Sequence, residues 1–181
     1  MAGTSGSGKT FVAQRLAQSL GVPFICNDSI IWGPHWTPTP KPLRFERFER
    51  ATLGEGWTFD GNLGSLKDPE DRMILERADT LIWLDLPRWT VTTQLLRRTL
   101  RRVCTRENLW HGNRESIRNS FLSRDSILWW SIKTHGLRRR QYRAIFADPA
   151  WAHLRRIRLA SRGQVAKWLS ACAPGRASRP G

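Results

Sequence analysis

At 181 residues the chain is long enough for one well-buried core, and 40% hydrophobic with 25% charged residues lies in the range of ordinary soluble domains. No apolar run reaches the roughly 20 residues that span a bilayer, and no basic stretch followed by an apolar one opens the chain, so a cytoplasmic location and no membrane partner are expected. The net charge of +15 is carried by arginine, only five of the thirty basic residues being lysine; this fits a triphosphate site, a nucleic-acid backbone, or simply a solvated arginine-rich surface.

In chain order, the spacing of Val12, Ala13, Leu16, Ala17 and Leu20 predicts a helix from Lys9-Thr10 to about Leu20, stopped by Gly21. Phe24-Ile25-Cys26 reads as a buried strand ending in Asn27-Asp28. Prolines at 34, 38, 40 and 42 make 33–42 a loop, and 43–53 an amphipathic helix. Trp57-Thr58-Phe59 is a second short strand ending at Asp60, and 80–84 a third ending at Asp85. Pro87 opens a helix through the arginine-rich stretch 97–106, with Asp85 or Leu86 near its cap. After Asn108, His111, Gly112 and Asn113 a helical pattern covers about 115–133. Ile157-Arg158-Leu159 is the last strand, and Ser161 with Gln164 has capping-box spacing for a helix through Leu169. One domain, residues 1–171, is expected, followed by a Pro/Gly/Arg-rich tail, 172–181, that reads as disordered.

Alternating strands and helices predict an α/β fold with a parallel sheet covered on both faces, which binds ligands beyond the carboxyl ends of its strands. Asp28, Asp60 and Asp85 fall on that edge. Gly3-Thr4-Ser5-Gly6-Ser7-Gly8-Lys9-Thr10 fits G-x-x-x-x-G-K-[ST] directly before a helix. The glycines let backbone N–H groups turn inward at phosphate oxygens, Lys9 reaches the terminal phosphates and the Thr10 hydroxyl binds Mg2+. Asp60 is the candidate second metal ligand and Asp28 the candidate to bind or activate an acceptor hydroxyl, each with a turn or cap as its alternative; Asp85 reads as a cap. Arg114, Arg118 and Arg124 follow the Gly112 hinge and are candidates to stabilise a moving phosphoryl group from a lid, with 114 and 118 on one helix face. Cys26, Cys104 and Cys172 lack metal-ligand spacing and read as reduced thiols; the ten tryptophans read as core and loop anchors.

With these residues in place the chain resembles the adenylate-kinase-related P-loop proteins labelled topology modulation proteins, within the nucleoside-monophosphate-kinase-like group. The likeness is carried by Asp28-Ser29-Ile30-Ile31-Trp32 with Pro34 and Trp36, by 57–62, by 78–88, and by Leu109-Trp110-His111-Gly112-Asn113-Arg114-Glu115-Ser116. It covers residues 1 to about 171 and implies a three-layer P-loop domain with five parallel strands in the order 2-3-1-4-5. It also implies an ATP site on 3–10, an acceptor side near Asp28 and Asp60, and an arginine lid between 97 and 135. The Asp-Gly-Phe-Pro-Arg block of adenylate kinases reads here as Asp60-Gly61-Asn62-Leu63-Gly64, a departure that leaves the acceptor open.

The function expected is transfer of the terminal phosphoryl of Mg-ATP to a small acceptor, nucleotides among the candidates. The alternative is a nucleic-acid-associated NTP-binding protein with slow or regulatory hydrolysis. Arginines converging on the P-loop edge favour the first; a basic stripe remote from it favours the second. A P-loop follows a central strand of about five residues, yet only Met1 and Ala2 precede Gly3, so the first strand is expected to be truncated. The strands ending at Asp60 and Asp85 should then flank a gap, and the natural protein is expected to start some residues upstream.

Overall fold

A computed structural model describes residues 1–63, 66, 68–114 and 127–172, with the backbone alone for 127–132. Among them are five short parallel strands and seven helices, a mixed α/β architecture. β4 (Thr80–Leu84) is central to one sheet, of order β1-β4-β5: β1 (Ala2–Gly3) pairs Ala2 with Trp83 and Gly3 with Leu84, and β5 (Arg155–Leu159) runs from Arg155 opposite Thr80 to Leu159 opposite Leu84. β2 (Phe24–Cys26) and β3 (Thr58–Asp60) form a second sheet, Phe24 opposite Thr58 and Cys26 opposite Asp60.

The two sheets meet at the first residue. The Met1 ammonium donates to the Phe59 carbonyl at 2.6 Å, and the Gly61 N–H donates to the Met1 carbonyl at 3.3 Å. The expected gap beside β3 and β4 is therefore occupied at its carboxyl end by Met1 to Gly3. Among the described residues β4 has β1 partners at Trp83 and Leu84, and all five of its residues have β5 partners. Met1 is buried, and desolvation pushes its amino pKa down to about 5 against the opposing pull of Asp60.

Leu81-Ile82-Trp83-Leu84 is a continuous apolar run because both faces of β4 are covered. Leu81 and Trp83 enter a core with Phe48 of α3 (Lys41–Ala51), Ile74 of α4 (Pro69–Arg77) and Tyr142 of α6 (Ile127–Ala147). Ile82 and Leu84 enter the other, with Val12 and Ala13 of α1 (Lys9–Leu20), against which Val165 and Trp168 of α7 (Arg162–Ala171) pack. Each such side chain contributes roughly 1.5–3 kcal/mol by leaving water, so the period-2 alternation of β4 fixes which helices lie on which face.

Local chemistry sets the helix ends. α1 stops at Gly21, whose left-handed conformation (φ 67°) turns its N–H back onto the Ala17 carbonyl. At α7 the Ser161 hydroxyl accepts from the Gln164 N–H at 3.2 Å, while the Gln164 side chain accepts from the Ala160 N–H at 2.6 Å, close to the expected capping box. α5 (Arg88–Cys104) follows Pro87 as expected. Two helices go beyond the sequence expectation: α2 (Asn27–Ile31) begins directly at the end of β2, and α4 starts at Pro69 with Glu70 and Asp71 in its first turn, a favourable arrangement of acids at the positive end of a helix. α6 continues to Ala147, well past the expected end near 133, because Tyr142, Ile145 and Phe146 keep an apolar face behind the arginines 138–140. The part of that expected helix at 115–126, and the tail at 173–181, lie outside the described residues. No helix among the described residues is long and apolar enough to cross a membrane.

Candidate active site

The loop 3–8 joins β1 to α1 and curls as the glycine pattern requires: φ is +146° at Gly3, +88° at Gly6 and +90° at Gly8, a region costly for residues with a Cβ. Gly6 is also sterically fixed, since a Cβ there would lie 2.6 Å from the Val91 carbonyl and 2.8 Å from Leu95 Cβ, both on α5. Gly3, Thr4 and Ser7 are buried behind the loop, with the Ser7 N–H donating to the Thr4 carbonyl at 3.1 Å, while Ser5, Gly6, Gly8, Lys9 and Thr10 face a cavity. The Lys9 ammonium donates to the Thr4 carbonyl at 3.1 Å; burial lowers its pKa, although Asp60 and Asp28 pull the other way.

That cavity, of about 780 Å³, lies at the carboxyl ends of β2 and β3 and is large enough for a nucleotide with a small second molecule. Asp28 and Asp60 both line it. Asp60 is buried, with Oδ2 lacking a hydrogen-bond partner among the described residues, an arrangement that calls for a cation or a donor. Burial, then the charge of Asp60, raises the Asp28 pKa against the opposing effect of Lys9, and the Asn27 amide donates to Asp28 at 3.5 Å. Cys26, at the end of β2, is held as a neutral thiol: burial, then Asp60, pushes its pKa up to about 11. No cluster of three or more His, Cys, Asp or Glu able to hold a metal occurs among the described residues. Mg2+ bound with a triphosphate needs fewer protein ligands than that, and Thr10 and Asp60, both on the cavity wall, are the hydroxyl and carboxylate that could hold it.

Besides Lys9, the positive charge on this cavity comes from arginines not named individually from the sequence, three of them within the stretch 97–106. Arg98, Arg101 and Arg102 of α5, Arg138 of α6 and Arg44 of α3 line it. Gln94, Arg98, Arg101 and Arg102 share one helical face by their i, i+4, i+7, i+8 spacing, a signal present in the sequence but masked there by the arginines at 97 and 106. Arg114 lies outside the cavity wall; its Nε donates to Asn108 Oδ1 at 2.7 Å. Arg118 and Arg124 lie outside the described residues.

Asp85 has a different position from the cap expected of it. Its buried carboxylate takes Arg139 Nε at 2.8 Å and Arg158 Nη2 at 2.5 Å, tying α6 and β5 to the end of β4. The cap position of α5 is Pro87, with no side-chain hydrogen bond.

Two turns meet beside the cavity. Residues 34–36 and 110–112 each form a tight turn with a left-handed histidine, His35 at φ 55° and His111 at φ 56°. Asn113, buried between them, donates from Nδ2 to the Gly33 carbonyl at 2.9 Å and accepts from the Trp36 N–H at 3.0 Å. His111 Nε2 lies 2.9 Å from the Ser29 carbonyl. Trp36 and Trp110 are thereby held on the cavity wall with Trp32.

No protein-family model matches this chain, and no curated protein matches it.

Proposed function

We propose that the protein is a phosphotransferase that binds Mg-ATP on residues 3–10 and passes the terminal phosphoryl group to a small acceptor, within a P-loop kinase domain of strand order 2-3-1-4-5. The observation that carries this reading is convergence: the glycine-loop face of Lys9 and Thr10, the two acids Asp28 and Asp60, and four arginines from α5 and α6 all line one cavity. The hydrogen bonds of Met1 to β3, beside its neighbours' pairing with β4, support the strand order.

In this mechanism the loop N–H groups and Lys9 hold the triphosphate, and Thr10 with Asp60 would hold Mg2+, which when bound neutralises phosphate charge. Asp28, raised in pKa, accepts the proton of the attacking hydroxyl. Arg98 and Arg138, which act electrostatically on Lys9 and line the same cavity, would join it in neutralising charge on the transferred phosphoryl group, beside whatever the expected lid arginines Arg114, Arg118 and Arg124 contribute. Arginines converging here favour a kinase over the nucleic-acid alternative.

The experiment is Mg-ATP binding and γ-phosphoryl transfer or hydrolysis by the full chain and by Lys9→Ala. Loss of at least about 100-fold in turnover, with an unchanged circular-dichroism spectrum, is expected. Near wild-type turnover by folded Lys9→Ala refutes the assignment.

A further inference from the structure

The cavity has two unlike walls. The one from α1, α5 and α6 carries Lys9 and the arginines 98, 101, 102 and 138. The one from α2, α3 and α4 and the segment leading into α4 carries four carboxylates, Asp28, Asp68, Glu70 and Asp71, against the single guanidinium of Arg44. Arg44 Nη2 pairs with Glu70 Oε1 in close contact and with Asp68 Oδ1 at 3.4 Å, while its buried Nε has no hydrogen-bond partner among the described residues. An acceptor phosphate on this wall would meet carboxylates and an arginine whose Nη2 is already paired with two of them.

This side also presents a hydrogen-bond acceptor. Asn62 Oδ1 lines the cavity, buried and without a hydrogen-bond partner among the described residues, next in the chain but one to the proposed metal ligand Asp60. Trp32, Trp36 and Trp110 line the same cavity, with Trp32 and Trp36 edge to face at 6.0 Å. Aromatic faces beside hydrogen-bond acceptors suit a compact ring with apolar C–H faces and several O–H or N–H donors. They do not suit a second phosphate.

We infer that the acceptor is an unphosphorylated, polyhydroxylated ring of sugar size, with amino groups tolerated or preferred, rather than a nucleoside monophosphate. This rests on the phosphotransferase reading above and narrows its acceptor. One acceptor hydroxyl forms an O–P bond to the γ-phosphorus as the Pγ–O bond to the β-phosphate breaks; ADP leaves with that electron pair. The hydroxyl proton goes to the Asp28 carboxylate and on to solvent, giving a phosphate monoester, ADP and H+.

The test uses the full chain and two readouts. Calorimetric binding of Mg-ATP tests the phosphotransferase reading by itself. Transfer from γ-labelled ATP is then measured to neutral hexoses and cyclitols, to aminosugars, and to AMP, CMP, GMP and UMP. The expected result is transfer to at least one polyol or aminosugar at least 100-fold faster than to any monophosphate; preference for the aminosugar over its hydroxyl counterpart identifies the amine as a recognised group. Trp32→Ala should raise the acceptor KM about tenfold with the ATP KM unchanged, an effect on the order of 1.4 kcal/mol. Mg-ATP binding accompanied by faster transfer to a monophosphate, or by no transfer to any polyol or aminosugar, overturns this inference and leaves the phosphotransferase reading standing. Absence of Mg-ATP binding overturns both.

Discussion

The two acids at the ends of β3 and β4 should respond oppositely to the same substitution. Asp85 is 3% exposed at its side chain and receives Arg139 and Arg158, whose side chains are 42% and 45% exposed. Asp85→Asn removes the charge that both guanidinium groups face. A hydrogen bond to a charged group contributes about 1.5–3 kcal/mol, and breaking a sealed ion pair costs about 3–5. Here the half-exposed arginines can rehydrate, so about 2 kcal/mol is the appropriate figure. At about 2–4 °C per kcal/mol for a chain of this size, the melting temperature should fall by about 4–8 °C, with turnover per folded molecule nearly kept. Asp60→Asn removes a carboxylate whose Oδ2 has no partner among the described residues, so the melting temperature should move by less than about 3 °C. Its turnover should fall at least about 100-fold with a weakened Mg2+ requirement. Thermal melts scored beside activity on folded protein decide it. If Asp85→Asn melts like the wild type, or loses more turnover than Asp60→Asn, the assignment of structure to one acid and chemistry to the other is wrong.

Gly6→Ala would place a Cβ 2.6 Å from the Val91 carbonyl at φ +88°, so it should weaken Mg-ATP binding at least about tenfold and lower stability by about 1–3 kcal/mol, read by calorimetry and denaturant titration. Burial, then Asp68 and Glu70, raises the Asp71 pKa to about 7; the folded state thus binds a proton more tightly than the unfolded chain, and this site's contribution to stability declines as pH rises from about 4 to about 7. For this partly exposed carboxyl, denaturant titrations at pH 5.5 and 8 should show Asp71→Asn losing about 1 kcal/mol less than wild type over that interval, and parallel losses in the two proteins would contradict it. Asn113→Ala removes the two side-chain hydrogen bonds of Asn113 to Gly33 and Trp36, so hydrogen exchange should rise at Trp36 and the acceptor KM should increase several-fold while Mg-ATP affinity stays. Unchanged exchange at Trp36 would show that other contacts hold the turns together.

The features legible in the sequence were those whose physics is local. A glycine loop before an amphipathic helix, an apolar run such as 80–84, and Ser161 three residues before Gln164 each carry their own geometry, and each is found where it was expected. Asp28 and Asp60 could be placed on one edge because parallel strands align their carboxyl ends. What escaped depends on partners far along the chain. Asp85 has the sequence context of a cap, and only the approach of Arg139 and Arg158, 54 and 73 residues away, makes it an ion-pair centre. The arginines on the cavity could not be chosen from a chain with so many, because that choice depends on which face of α5 turns toward Gly6. The acidic wall was equally hidden: α4, which brings Glu70 and Asp71 to the cavity, was not recognised as a helix.

The arginine excess has a different meaning once its members are located. Arg139 and Arg158 converge on Asp85, Arg44 on Asp68 and Glu70, and Arg77 bridges Glu49 to the Thr52 hydroxyl, so each of these holds neighbouring elements together. Arg98, Arg102 and Arg138 face the cavity beside Lys9. Coulomb energy falls with distance and is screened over about 8 Å at physiological salt, so residues committed in these ways add little to any remote basic stripe. A net charge of +15 is therefore compatible with a cavity whose acceptor wall is acidic. On the proposed reading the placement of the charge, not its total, selects the ligand: a triphosphate would bind against the arginine-bearing wall and an unphosphorylated acceptor against the acidic one. That asymmetry would let a kinase take up ATP without the acceptor side competing for it.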